Sequence, residues 1–141
     1  MTSSSTHVEL LLPERIRLKA DIRGNEYAWR RADLPEVLAA AREAELATLG
    51  GEVQFRLEDG TCELYWHSFD SAKRADGESW SSYVERTNRE TLASLERLPS
   101  EETLVVDGVT KFEFLRDCAN RGVDLLDFLW YVCYFARRSG E

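Results

Sequence analysis

Hydrophobic and polar residues alternate along this chain in short runs separated by turn-forming residues, and the period of each run predicts its element. Ile16, Leu18, Ala20 and Ile22 alternate with Arg17, Lys19 and Asp21, the period-two pattern of a half-buried strand. Gly24-Asn25 then supplies a two-residue turn that sets Ile22 opposite Tyr27 and Ala20 opposite Trp29, so the apolar sides of the two strands coincide. From Leu34 to Leu49 the period lengthens. Val37, Leu38, Ala41, Ala44 and Leu49 form a helical stripe entered through Asp33 and Pro35 and left at Gly50-Gly51.

A second hairpin follows, with Asp59-Gly60 as its expected type I′ turn. That turn pairs Leu57 with Cys62, Phe55 with Leu64 and Val53 with Trp66, all on one face. The opposite face carries Arg56 beside Glu63, Gln54 beside Tyr65 and Glu52 beside His67, a polar surface that is either plain solvent exposure or a binding platform. Ser68 to Ser79 is small, charged and Gly-containing, hence a loop. Helical spacing resumes at Trp80, Tyr83, Val84, Thr87, Leu92 and Leu95 and stops at Pro99. Beyond the short apolar piece Leu104–Val106, Asp107 is expected to cap a helix carrying Phe112, Leu115, Cys118 and Ala119, with Gly122 as its stop. A last helix, from about Leu125 to Arg137, is apolar around most of its circumference. It is read as the central helix of the core, with an interface as the alternative because Trp130, Tyr131 and Tyr134 extend its apolar surface.

Separate strand and helix runs without strict β-α alternation predict an α+β fold, with two antiparallel hairpins forming a sheet packed on one face against about four helices. The length of 141 residues suits one domain, expected over 9–138 behind a disordered Ser/Thr-rich tail at 1–8. A hydrophobic share of 43% supplies a core. Eighteen Lys and Arg against 26 Asp and Glu give a net charge of −8, opposite to the footprint of a phosphate-backbone binder, so direct nucleic-acid binding is not expected. The acidity lies in the body, since residues 1–31 carry six bases and four acids. No apolar run approaches the roughly 20 residues of a membrane span and the start lacks a signal-peptide pattern, so a cytoplasmic protein without membrane contact is expected.

Catalytic chemistry finds little support in the sequence. Cys62, Cys118 and Cys133 form no CxxC pair, and the histidines, His7 and His67, are too few for a metal site. Cys62 and His67 are five apart on one strand, so alternation sends them to opposite faces. Asp76 with Glu78 and Glu101 with Glu102 read as solvated or helix-capping acids, and no phosphate loop or dinucleotide fingerprint is present. No cofactor is expected. The richest cluster of functional groups is Arg56, Glu63, Tyr65 and His67, with Gln54 and Glu52 opposite.

Gly50-Gly51-Glu52-Val53-Gln54-Phe55-Arg56-Leu57, then Asp59-Gly60-Thr61-Cys62-Glu63-Leu64-Tyr65-Trp66, and Glu78-Ser79-Trp80 with Tyr83 and Val84 resemble small bacterial immunity-type proteins of toxin–antitoxin conflict systems. The resemblance spans about the middle third of the chain. It implies a non-catalytic inhibitor that occludes a cognate toxin, many such toxins being basic nucleases, and gives the acidity a role in speeding encounter. The contact surface expected for it joins Glu52, Glu63, Tyr65 and His67 to the loop acids Asp70, Asp76 and Glu78. Two other classes stay open: an enzyme or small-ligand domain using the polar hairpin face, and a homo-oligomeric adaptor joined through the last helix.

Overall fold

The computed structural model describes residues 5–139 and shows an α+β domain: a five-stranded antiparallel sheet packed against helices. Its helices are α1 (Glu14–Arg17), α2 (Leu34–Glu43), α3 (Trp80–Glu96), α4 (Glu101–Lys111) and α5 (Glu113–Asn120). The strands are β1 (Asp21–Arg23), β2 (Glu26–Trp29), β3 (Ala47–Leu57), β4 (Gly60–Ser68) and β5 (Leu129–Ala136), in the order β1-β2-β5-β3-β4. Val53, Phe55, Leu64, Tyr131 and Cys133 point from the sheet into the helical layer and are buried with Leu38, Leu104 and Leu115.

The largest correction concerns the chain's end. Leu125–Phe128 is a single 3-10 turn and Leu129–Ala136 is a strand, so the expected C-terminal helix does not exist and offers no helical surface for self-association. An apolar run without alternation fits a strand covered on both faces as well as a buried helix, and the Trp, Tyr, Val, Cys, Tyr, Phe composition favours the strand. Placed between β2 and β3, β5 buries Leu129, Tyr131, Cys133 and Phe135 on the helical side and Val132 on the other.

Three other expectations shift. The alternation at 16–22 yields only β1, preceded by the one-turn helix α1; Ile16 is buried and its carbonyl accepts the Trp29 indole N–H at 2.9 Å, whereas Leu18 is 76% exposed. Ile22 does face Tyr27, but Ala20 lies outside the ladder. Helix α2 ends at Glu43 instead of Leu49. Glu45 takes a left-handed φ of 61° and the Leu46 N–H reaches back to the Ala41 carbonyl at 2.9 Å, closing the helix before Gly50. Gly50-Gly51 lies inside β3, where a Cβ on Gly51 would fall 1.8 Å from the Val132 carbonyl oxygen, so glycine permits β3 and β5 to approach. Asp107 lies within α4, whose cap is Ser100, accepting from the Thr103 N–H. Of the expected tail at 1–8, residues 1–4 fall outside the described residues, and Ser5–Leu11 forms a 3-10 helix that buries Val8.

The central hairpin forms with a register displaced by two residues. Glu58-Asp59 makes the turn, Leu57 pairs with Gly60, Phe55 with Cys62 and Val53 with Leu64. A slip of two preserves which face each residue occupies, so the core set survives. Gly60 needs no positive φ; its missing Cβ instead admits the Phe114 ring, 3.1 Å from where that carbon would lie. Trp66, expected in the core opposite Val53, is left 40% exposed.

Leu64→Ala is expected to cost about 2–4 kcal/mol in denaturant unfolding because the side chain is wholly buried opposite Val53. Gly51→Ala is expected to destabilise as well, through collision with the β5 backbone, while Gly24→Ala meets no neighbour and carries only the strain of its positive φ. Equal midpoints for Leu64→Ala and the parent would show that the hairpin does not pack in this register.

Candidate functional site

The sheet face away from the helices is polar, and its centre is Arg56 of β3. Only 2% exposed, Arg56 donates from Nε to Gln54 Oε1 at 2.9 Å and from Nη1 to the Asp21 carbonyl at 2.8 Å and Asp21 Oδ2 at 3.0 Å. A buried guanidinium is tolerated only when its donors are met, so these contacts hold the short β1–β2 hairpin over β3. Arg23 Nη1 also donates to Thr61 Oγ1 at 2.9 Å, linking the two edge strands and curling the sheet. Arg56 is therefore a structural residue of the polar face, paired in register with Thr61 instead of Glu63.

Next to it runs a chain of oxygen contacts. The Tyr134 hydroxyl lies 2.7 Å from Glu26 Oε2 and 2.8 Å from Glu52 Oε1, and Glu52 is hydrogen-bonded in turn to Glu63. One hydroxyl hydrogen serves only one of its two carboxylate neighbours, so Glu26 and Glu52 crowd a single donor. The hydrogen bond with Glu52, then desolvation and the charges of Glu52 and Glu26, push the Glu63 carboxyl up to about 7. Burial, reinforced by bonds to Glu26 and Glu52, raises the Tyr134 hydroxyl above the usual phenol range.

At the far end of the hairpin the ladder breaks. Val53 pairs with Leu64, yet Glu52 pairs with Ser68, and Gly51 exchanges both backbone hydrogen bonds with Phe69 at 3.2 and 3.1 Å. Tyr65, Trp66 and His67 therefore have no partners on β3 and bulge from the edge strand. Such bulges re-aim side chains. Tyr65 is 62% exposed; its ring meets Trp66 edge-on at 5.0 Å, and Trp66 stacks on Phe112 at 6.1 Å. His67 Nε2 donates to Asp107 Oδ2 at 2.8 Å, fixing the ring against α4.

The expected contact residues separate into two groups. Glu52, Glu63, Tyr65 and His67 share the hairpin, and exposed Asp70 follows directly, its Cα 2.5 Å from where a Gly50 Cβ would stand. Asp76 is exposed in the loop before α3. Glu78 is committed to the fold: it receives Arg86 Nε at 2.7 Å, Arg86 Nη2 at 2.9 Å and the Ala75 N–H at 3.0 Å, and the Arg86 hydrogen bonds followed by that backbone bond pull its carboxyl down to about 2. Glu26 escaped the sequence reading, Tyr134 was read as part of a helical surface, and Trp66 was read as core. The first two arrive from other strands, and nothing local marks the bulge.

Cys62 is buried on the helical side, its thiol raised by desolvation, and His67 is engaged by Asp107, so the two do not form a nucleophile and base. Among the described residues no group of three or more His, Cys, Asp or Glu is placed to hold a metal ion, and no helix is long and apolar enough to cross a membrane. No family model matches the chain, and no curated protein or solved structure is significantly similar to it.

The raised Glu63 carboxyl makes stability depend on pH with a definite sign. Between the ordinary value of 4.5 and about 7 the folded chain holds a proton that the unfolded chain has released, so this contribution is complete below 4.5 and lost as pH rises through 7. Glu63→Gln keeps a neutral hydrogen-bonding group, and the variant is expected to gain stability relative to the parent between about pH 5 and about pH 8. Thermal melts at both pH values check this, and a constant difference would mean that Glu63 titrates normally.

Proposed function

We propose that this chain is a non-catalytic, immunity-type inhibitor that acts in the bacterial cytoplasm by occluding a basic protein toxin. The observation that carries the reading is the bulge: it removes Tyr65 and Trp66 from the ladder and leaves two large aromatic rings exposed at a sheet edge. Aromatic anchors of this kind dominate the energetics of protein interfaces. Trp66 is braced by Phe112 and His67 by Asp107, so little side-chain freedom remains to be lost on binding. Glu63 and Glu52 on the neighbouring sheet face, with exposed Asp70 beyond, supply carboxylates for a basic partner, and the net charge of −8 steers its approach. Glu52 and Glu26 raise the Glu63 carboxyl in the free protein, and a partner's Lys or Arg supplies the counter-charge that this crowded group of acids lacks.

The test begins with tagged protein in its native host, where one stoichiometric basic protein is expected whose toxic activity the chain abolishes. Tyr65→Ala and Glu63→Lys are each expected to weaken that pair at least about tenfold, or about 1.4 kcal/mol. The association rate is expected to fall with added salt, because steering is screened over a Debye length of about 8 Å at physiological ionic strength. Recovery of no such protein, or binding that leaves its activity intact, overturns the proposal.

A further inference from the structure

On the other side of the bulge a groove of about 380 Å³ runs between β4 and the C-terminal end of α3, lined by Trp66, Ser68, Ser94, Arg97, Leu98 and Pro99. Four of its polar side chains carry donors. The Trp66 indole N–H, the Ser68 and Ser94 hydroxyls and the Arg97 guanidinium can all donate, and none has a hydrogen-bond or ion-pair partner among the described residues. Arg97 is exposed and its side chain makes no hydrogen bond or ion pair, whereas Arg15, Arg42 and Arg86 each meet a carboxylate. Leu98 and Pro99 give the groove an apolar wall beside the Trp66 ring.

The negative end of α3 would ordinarily repel an anion here. Arg31 offsets that charge, donating to the α3 carbonyl of Leu95 and to the following carbonyls of Leu98 and Pro99 at 3.3, 3.3 and 2.7 Å. His67 also lines the groove and does not compete for the donors, since its Nε2–H is given to Asp107. The unmet demand is thus for an acceptor-rich, negatively charged group attached to an apolar body. A planar carboxylate suits the paired N–H groups of a guanidinium. Because β4 is the last strand in the sheet, the groove opens along an unpaired strand edge where an extended chain can continue.

We infer that the groove between the Tyr65–His67 bulge and the end of α3 binds the free C-terminal carboxylate of a polypeptide ending in an apolar residue, with Arg97, Ser68 and Ser94 holding the carboxylate and Trp66, Leu98 and Pro99 the side chain. This site shares Trp66 with the proposed toxin surface, but its donors Arg97, Ser68 and Ser94 lie outside that surface and the inference does not rest on the toxin reading. Its failure would leave that reading untouched, and the reverse holds.

The experiment follows the Trp66 indole N–H by nuclear magnetic resonance in the full chain. The probes are a hexapeptide ending in phenylalanine with a free carboxylate, the same peptide amidated, N-acetyl-phenylalanine and inorganic phosphate. The free-carboxylate peptide is expected to give a saturable shift confined to the groove, the amide none, and N-acetyl-phenylalanine and phosphate weaker binding than the peptide. Arg97→Glu is expected to weaken the peptide at least about tenfold and Arg97→Lys to fall between. Arg97 is exposed and its side chain is unpaired, so both variants are expected to melt like the parent. Equal shifts with amide and carboxylate, parent-like affinity in Arg97→Glu, or phosphate binding as tightly as the peptide would each overturn the assignment. N-acetyl-phenylalanine binding as tightly as the peptide would also overturn it, in favour of a free small acid.

Discussion

A guanidinium buried in the sheet imposes the architecture of the polar face. Arg56 sits at the middle of β3 with its charge out of water, a position costing several kcal/mol unless its N–H groups are met. Gln54 supplies one acceptor from the same strand, but the others come from beyond β5, from Glu26 two strands away and Asp21 three strands away. The β1–β2 hairpin has only three paired positions and could not hold itself over the sheet by its own ladder. Arg56 and the Arg23 link to Thr61 hold it there, and this curl brings Glu26 within reach of Tyr134.

From that curl follows the unusual chemistry of the face. Glu26 and Glu52 meet on one phenol because the strands carrying them flank β5, and Glu63 joins through its pairing opposite Gln54. Three carboxyls brought this close together are a poor arrangement for stability alone. A surface shaped by stability alone would separate like charges. The bulge has the same character, since it forfeits ladder bonds and exposes aromatic area that a regular strand would have paired and covered. Both departures lie on the same hairpin, where local consistency yields to something other than folding.

How much of this was legible beforehand differs from element to element. Helix α3 was recognisable because its apolar stripe and Pro99 agree, and the structure adds a Ser79 cap that the sequence reading left in the loop. The helix expected at 125–137 failed because a strand buried on both faces loses the alternation that identifies strands. The central hairpin was half legible. Alternation identified Val53, Phe55, Leu57, Cys62 and Leu64 as core, and a two-residue error in the turn left that set intact, whereas the bulge carried Trp66 to the surface.

Local chemistry in the chain thus determined the α+β class, the inward and outward faces of the central hairpin, the acidity, and the improbability of a Cys62–His67 pair, because each depends on neighbours within a few residues. Tertiary structure alone decided that the last apolar segment completes the sheet, that Arg56 is buried and Tyr65 is not, and that Tyr134 bridges Glu26 and Glu52. Those two contacts join residues 108 and 82 positions apart. No periodicity carries such information, since it arises only when strands distant in sequence are forced side by side by the burial of a shared core.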